Sequence, residues 1–321
     1  MPRATLIRPL AISAFLLCLV VVVLGAYVRG SDAGLGCPDW PGCYGHVTPA
    51  GAIAAAQSSG GMLDGATVDA GKAWKEMVHR YAAGTLGVLI ILIAALAIQT
   101  RTLRIVSLPY AATLVGLVIV QGMLGMLTVT ERLHPAIVTA HLLLGLTTLS
   151  VLWWLVLTLG RRQASAWRGS TAFLGSSLTL TRRIALLGLL ALALQLALGG
   201  WTSSHYAATG CPDFPKCQDQ WWPGFQGNVG IHFAHRLGAL FATLMLVLAA
   251  ARVLRSRSDP FARRAALAVL AALGLQLAIG ITLVKSAFPL WLATAHNAGA
   301  ALLLLAVVAL NRSLRPAWKA S

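Results

Sequence analysis

Negative charge is almost missing from this chain. Nine of its 321 residues are Asp or Glu, against 25 Lys and Arg, and charged residues make up 11% of the whole. So few charges do not solvate the surface of a water-soluble domain. No Gly-rich phosphate loop, dinucleotide fingerprint or nucleophile elbow occurs, which argues against nucleotide binding. The alternating segments of about 10 residues that mark a transmembrane β-barrel are absent too. What remains is apolar: 58% of the residues are hydrophobic and mean hydropathy is +0.77. A bilayer-spanning helix needs about 20 such residues in a row. Eight spans are expected, at 10–28, 79–99, 105–128, 137–159, 183–203, 232–253, 264–284 and 289–310.

The net charge of +16 raises the question of nucleic acid. Its distribution answers against it. In the eight-span arrangement Arg3, Arg8, Arg101, Arg104, Arg161, Arg162, Arg168, Arg182, Arg183, Arg252, Arg255, Arg257, Arg263, Arg264, Arg312, Arg315 and Lys319 fall on one side. Asp32, Asp39, Asp64, Asp69, Glu76, Glu131, Asp213 and Asp219 fall on the other, and Asp259 alone joins the basic side. This is the positive-inside pattern, so both termini are expected in the cytoplasm. The basic excess then serves topology and anionic headgroups. The first span follows Arg3 and Arg8 and is read as an uncleaved signal anchor.

Of five cysteines, four stand in two outer loops with C-x5-C spacing: Cys37 and Cys43 in GCPDWPGC, Cys211 and Cys217 in GCPDFPKC. Outer loops of a bacterial envelope protein face an oxidising compartment, so each pair is expected to form a disulfide. A zinc site built from all four is the competing reading, although zinc ligands are usually spaced more tightly. Cys18 falls inside a span and reads as a small core hydrophobe.

Four histidines recur in register. His79 and His141 match His235 and His296, with 235 − 79 = 156 and 296 − 141 = 155. Gln121 in QGMLGMLTV matches Gln276 in QLAIGITLV, and a related QLALGG begins at Gln195. The GCPD segments recur at 211 − 37 = 174, the larger offset reflecting the longer first loop. The fold class is therefore all-α: eight transmembrane helices as two tandem four-helix bundles in a parallel repeat. Expected domains are an N-terminal half at 1–160, a cytoplasmic linker at 161–182 and a C-terminal half at 183–321.

All four histidines lie near the outer ends of even-numbered spans, at one depth. Lone intramembrane histidines often only bond helix to helix. Four at a repeated depth point instead to two axial-ligand sites for haem iron. Glu76 stands three residues before His79 and shares its helix face. Its repeat counterpart is His232. Glu76 is expected to bind a proton beside the first haem or to stabilise positive charge developing on an oxidised substrate carbon, or else to pair only with Arg80 or Lys75 at the interface. Arg29, Arg80 and Arg236 are expected where haem propionates would need cations. His46, His134 and His205 are expected to be solvated or locally bonded.

With these elements in place the chain resembles the haem A synthases over nearly its full length. The resemblance is carried by YVRGSDAGLGCPDWPGC, by EMVHR, by His141 in TAHLLLGL, by HFAHRLG and by His296 in TAHNAGA. It implies an enzyme that oxidises the C8 methyl of haem O to a formyl group, giving haem A for terminal oxidases. It implies that His79 and His141 bind haem O as substrate, and that His235 and His296 ligate the iron of a haem B cofactor. Glu76 matches the family's functional glutamate, and Cys37 and Cys43 its outer-loop cysteine pair. Cys211 and Cys217 are read as structural. Expected partners are haem O, the lipid bilayer, haem O synthase and terminal oxidase assembly factors, with a homo-oligomer also considered and no nucleic acid. The expected location is the bacterial cytoplasmic (inner) membrane. A non-enzymatic bis-histidine cytochrome b would share every ligand without needing Glu76, and a haem transporter or chaperone is the reading from another class.

Overall fold

The computed structural model describes residues 2–59, 62–63, 66–103, 105–163, 175–256 and 259–315. Much of the expected linker, 164–174, lies outside the described residues, as do Asp64, Arg104, Arg168, Arg257 and Lys319. Eight of the described helices are long and apolar enough to cross a membrane. They are α1 (Pro2–Gly30), α3 (Ala70–Gln99), α4 (Leu108–Thr130), α5 (Pro135–Gln163), α6 (Gly175–Ser204), α7 (Gly227–Arg255), α8 (Pro260–Lys285) and α9 (Leu290–Ser313). A shorter helix, α2 (Pro49–Ser58), and a two-residue ladder of Met62–Leu63 on Ala66–Thr67 sit in the loop after α1.

The helix ends follow from local chemistry. Thr48, Asp69 and Asp259 accept backbone N–H groups of the first turns of α2, α3 and α8, satisfying donors that have no partner within the helix. Pro49, Pro109 and Pro260 sit in the first turns of α2, α4 and α8, where the missing N–H costs nothing. The cap at Asp69 starts α3 nine residues before the expected span, 79 − 70 = 9. Its first turns, carrying Lys72, Lys75 and Glu76, are too polar to show up as apolar sequence.

The chain divides into two compact units, Met1–Leu149 and Ser150–Ser321, with the division inside α5. In the first unit α3 packs on α1, α2 and α4. In the second, α6 packs on α7, α7 on α8, α8 on α9 and α9 on α6, closing a four-helix bundle. The inner part of α5 groups with this second unit for a definite reason. Trp153 Nε1 donates to the Leu305 carbonyl at 3.0 Å, Arg312 Nε donates to Thr158 Oγ1 at 3.3 Å, and the Arg312 guanidinium lies over the Trp154 ring.

The tight connections repeat as well. Arg132 and Leu133 before α5 take φ of 47° and 60°; Ala287 and Phe288 before α9 take 56° and 61°, with 287 − 132 = 155. Left-handed backbone is uncommon for such residues, so this shared turn is a conformational echo of the sequence repeat.

Candidate functional site

Each of the four histidines stands two to three turns inside its helix. The offsets from the helix start are 79 − 70 = 9, 235 − 227 = 8, 141 − 135 = 6 and 296 − 290 = 6. At a rise of 1.5 Å per residue they lie about 9–14 Å below the start. Each ring rests on a glycine of the preceding span. A Cβ at Gly25 would stand 3.0 Å from His79 Cε1, at Gly125 3.4 Å from His141 Cε1, at Gly199 3.1 Å from His235 Cε1 and at Gly280 3.0 Å from His296 Cε1. The same ring atom meets the same kind of gap four times.

Three glutamines complete this arrangement, and reading the sequence alone assigned them no task. Gln121 Nε2 donates to the His141 backbone carbonyl at 3.0 Å and stands 3.4 Å from its Nε2. Gln195 Nε2 donates to the His235 carbonyl at 3.1 Å and stands 3.0 Å from its Nδ1. Gln276 Nε2 donates to the His296 carbonyl at 3.1 Å and stands 3.2 Å from both ring nitrogens. Interhelical hydrogen bonds in bilayers average only about 0.6 kcal/mol each. The carboxamides therefore add little to holding the helices together. What they fix is the orientation of the histidine ring. The signal was legible as a Q-x-x-x-G register, visible once the glycines are known to lie beneath the rings.

The two disulfide loops are built to one plan. The disulfides pair within each loop, Cys37 with Cys43 and Cys211 with Cys217, with Cα–Cα separations of 4.7 and 4.6 Å. The Asp39 carboxylate accepts the N–H of Tyr44 and of Gly45, and Asp213 accepts those of Gln218 and Asp219. Those two backbone donors, Asp219 foremost, hold the Asp213 carboxyl below the ordinary carboxylate range, with the Arg236 charge adding to them. Arg80 and Arg236 clasp the loops from below. Arg80 Nη1 donates to the carbonyls of Asp39 and Gly42 at 2.9 and 2.6 Å; Arg236 donates to those of Lys216, Cys211 and Asp213 at 2.7, 2.9 and 2.7 Å. Both arginines, expected where haem propionates would need cations, thus also hold the disulfide loops. Arg29 pairs with Asp32 at 3.9 Å.

Glu76 is buried, with 4% of its surface exposed. Its Oε2 accepts the Cys37 N–H at 2.9 Å and its Oε1 accepts Arg80 Nη2 at 2.5 Å. His232 holds the matching place: its Nδ1 accepts the Cys211 N–H at 3.2 Å. The Arg80 pairing weighed from the sequence is therefore present, and a tie to the disulfide loop is added. His205 bonds locally, its Nδ1 3.0 Å from the Trp201 carbonyl and its ring tilted at 44° against that indole. Cys18 is buried and free.

The histidines fit haem as a ligand. The Nδ1 atoms of His79 and His141 and the Oε1 atoms of Gln121, Gln195 and Gln276 are buried without a hydrogen-bond partner among the described residues. Such atoms are costly to leave unpaired. Paired imidazoles over glycine gaps suit a flat macrocycle held from two sides.

A Cytochrome oxidase assembly protein family, COX15-CtaA, matches residues 8–308. A haem A synthase of Shewanella oneidensis is 39% identical, the alignment covering 91% of this chain and 92% of that protein. Haem A synthases of Caulobacter vibrioides (27% identical; 94% and 95% covered) and Halalkalibacterium halodurans (28%; 74% and 73%) are also similar. With a match over nearly its whole length, the chain belongs to the COX15-CtaA family of cytochrome oxidase assembly proteins.

Proposed function

We propose that this protein is a haem A synthase of the bacterial cytoplasmic membrane, oxidising the C8 methyl of haem O to a formyl group. The observation that carries the reading is the doubled histidine pair in a chain similar throughout to proteins of that name. The change from methyl to aldehyde takes two successive two-electron oxidations, through a hydroxymethyl stage. Haem O is a membrane-soluble substrate, so eight apolar helices are its natural surroundings.

On this reading His79 and His141 hold haem O, and His235 and His296 hold haem B, whose iron supplies a route for electrons when bound. Glu76 is the group assigned to proton uptake as C–H bonds of the methyl are broken. Its placement one turn outward of His79 supports this, and its second bond, to Cys37, keeps the loop closed above it. Both termini face the cytoplasm, as the arginine distribution requires. Domains of 1–160 and 183–321 separate substrate from cofactor, and haem O synthase and oxidase assembly factors are the natural neighbours for receiving and passing on so apolar a molecule.

Purified protein supplied with haem O and an electron acceptor should yield haem A, detected by chromatography of the extracted haems. Recovery of unchanged haem O alone would favour a bis-histidine cytochrome b or a haem carrier.

A further inference from the structure

We infer that the carboxamide contacts sort the four histidines into held and exchangeable ligands, and that Val21, by withholding an amide from His79, makes the first half a site that haem can leave. The inference rests on the haem reading above.

The register is strict. Each glycine beneath a histidine is preceded by the clamp position four residues earlier: 125 − 121 = 4, 199 − 195 = 4, 280 − 276 = 4, and in α1, 25 − 21 = 4. Three of these positions are glutamine and the fourth is Val21. The place is structurally the same. One turn beyond Val21 a Cβ at Gly25 would meet His79 Cε1, as one turn beyond Gln121 a Cβ at Gly125 would meet His141 Cε1. Only the side chain differs, and a branched alkyl group donates nothing.

A second layer runs the same way. Gly238 and Gly299 follow their histidines by three, 238 − 235 = 3 and 299 − 296 = 3, and a Cβ at either would collide with Oε1 of Gln195 or Gln276. In the first half those positions are Ala82 and Leu144, from 82 − 79 = 3 and 144 − 141 = 3. Both second-half histidines thus carry a glutamine seated against a glycine. Gln121 beside His141 rests more loosely on Gly145, where a Cβ would stand 3.3 Å from its Nε2, and His79 carries neither glutamine nor seat. Outer contacts of this kind orient metal ligands, and their loss typically weakens metal binding about 10–100-fold. A site whose substrate and product are the same macrocycle must let it go after each turnover. The first half is built for that, and the second for retention.

If the glutamines are merely interhelical glue, changing them will alter thermal stability and leave haem exchange alone. The test is therefore an exchange rate. Protein carrying haem B is loaded with haem O in detergent and mixed with excess apo-globin as scavenger, and the captured haems are separated by chromatography over time. Haem O should leave faster than haem B. Val21→Gln should slow haem O release about 10–100-fold with haem B release unchanged. Gln121→Leu should speed haem O release, and Gln276→Leu should speed haem B release. Haem O release at the wild-type rate in both Val21→Gln and Gln121→Leu overturns the inference; if Val21→Gln does not fold, Gln121→Leu decides alone. The assay needs no turnover. A protein that makes no haem A yet shows these rates loses the enzymatic reading and keeps this one.

Discussion

The two disulfide loops and the two helix starts beneath them make the same contacts with different chemistry at one point. In the first unit the N–H of Cys37 ends on a carboxylate, Glu76; in the second the N–H of Cys211 ends on an imidazole, His232. That exchange redirects the arginine beside it. Arg80 turns one nitrogen to Glu76, whereas Arg236 gives its donors to loop carbonyls. A neutral acceptor closes a loop as well as an anion does, so closure does not explain the carboxylate. The comparison teaches that a duplicated scaffold can keep its ligands and its architecture while specialising through a few buried acceptors and donors.

Removing the ligands should have the largest effect. His235→Ala or His296→Ala should empty the resident haem site, seen as loss of the haem absorbance from purified protein. His79→Ala or His141→Ala should leave that absorbance and stop haem A formation. Equal haem loss from all four variants would erase the distinction between the halves.

Glu76→Gln should come next. The amide oxygen still accepts the Cys37 N–H, so the loop stays shut while the charge is gone. Proton-transfer groups are typically worth about 10²–10⁴-fold in rate, and a loss of that size is expected in haem A formation, with the resident haem retained. Wild-type turnover would reduce Glu76 to a loop tie, as His232 is.

Gly299→Ala probes the second half alone. The new methyl meets Gln276 Oε1 and must push the carboxamide off His296. Resident haem should bind about 10–100-fold more weakly, measured by scavenger exchange. An unchanged rate would show that the glutamine can give way without disturbing the ligand.

The smallest effect belongs to acid. Asp213 is depressed below the ordinary range by the Asp219 and Gln218 backbone donors. Its contribution is present above the unfolded value of about 3.9 and is lost as pH falls through the lower folded value. Amide exchange at Gln218 and Asp219 should therefore accelerate only below about pH 4. In Asp213→Asn that pH dependence should be absent.

Sequence reading located all eight spans because apolar length is a strong signal, and it found the histidines because a repeat made four positions vouch for one another. It began α3 too late, since a capped polar turn above the bilayer carries no apolar signature. It did not foresee that Arg80 and Arg236 hold the loops, since nothing in a linear pattern shows that Asp39, Gly42 and Lys216 carbonyls converge on them. The glutamine contacts were missed for the opposite reason: Gln121, Gln195 and Gln276 were seen to recur, but a recurring polar residue in a span has no evident target until the neighbouring helix is placed.

The hydrogen bond from Trp153 to the Leu305 carbonyl joins residues 152 apart in sequence. A ribosome adding about 5–20 residues per second makes that acceptor roughly 8–30 s after the donor. Throughout that interval the Leu305 carbonyl is not there to accept the indole N–H, and Arg312, which stacks on the next residue, does not yet exist. The fourth membrane helix is therefore inserted early and finished last. A chain truncated before α9 should lack both of these contacts to α5.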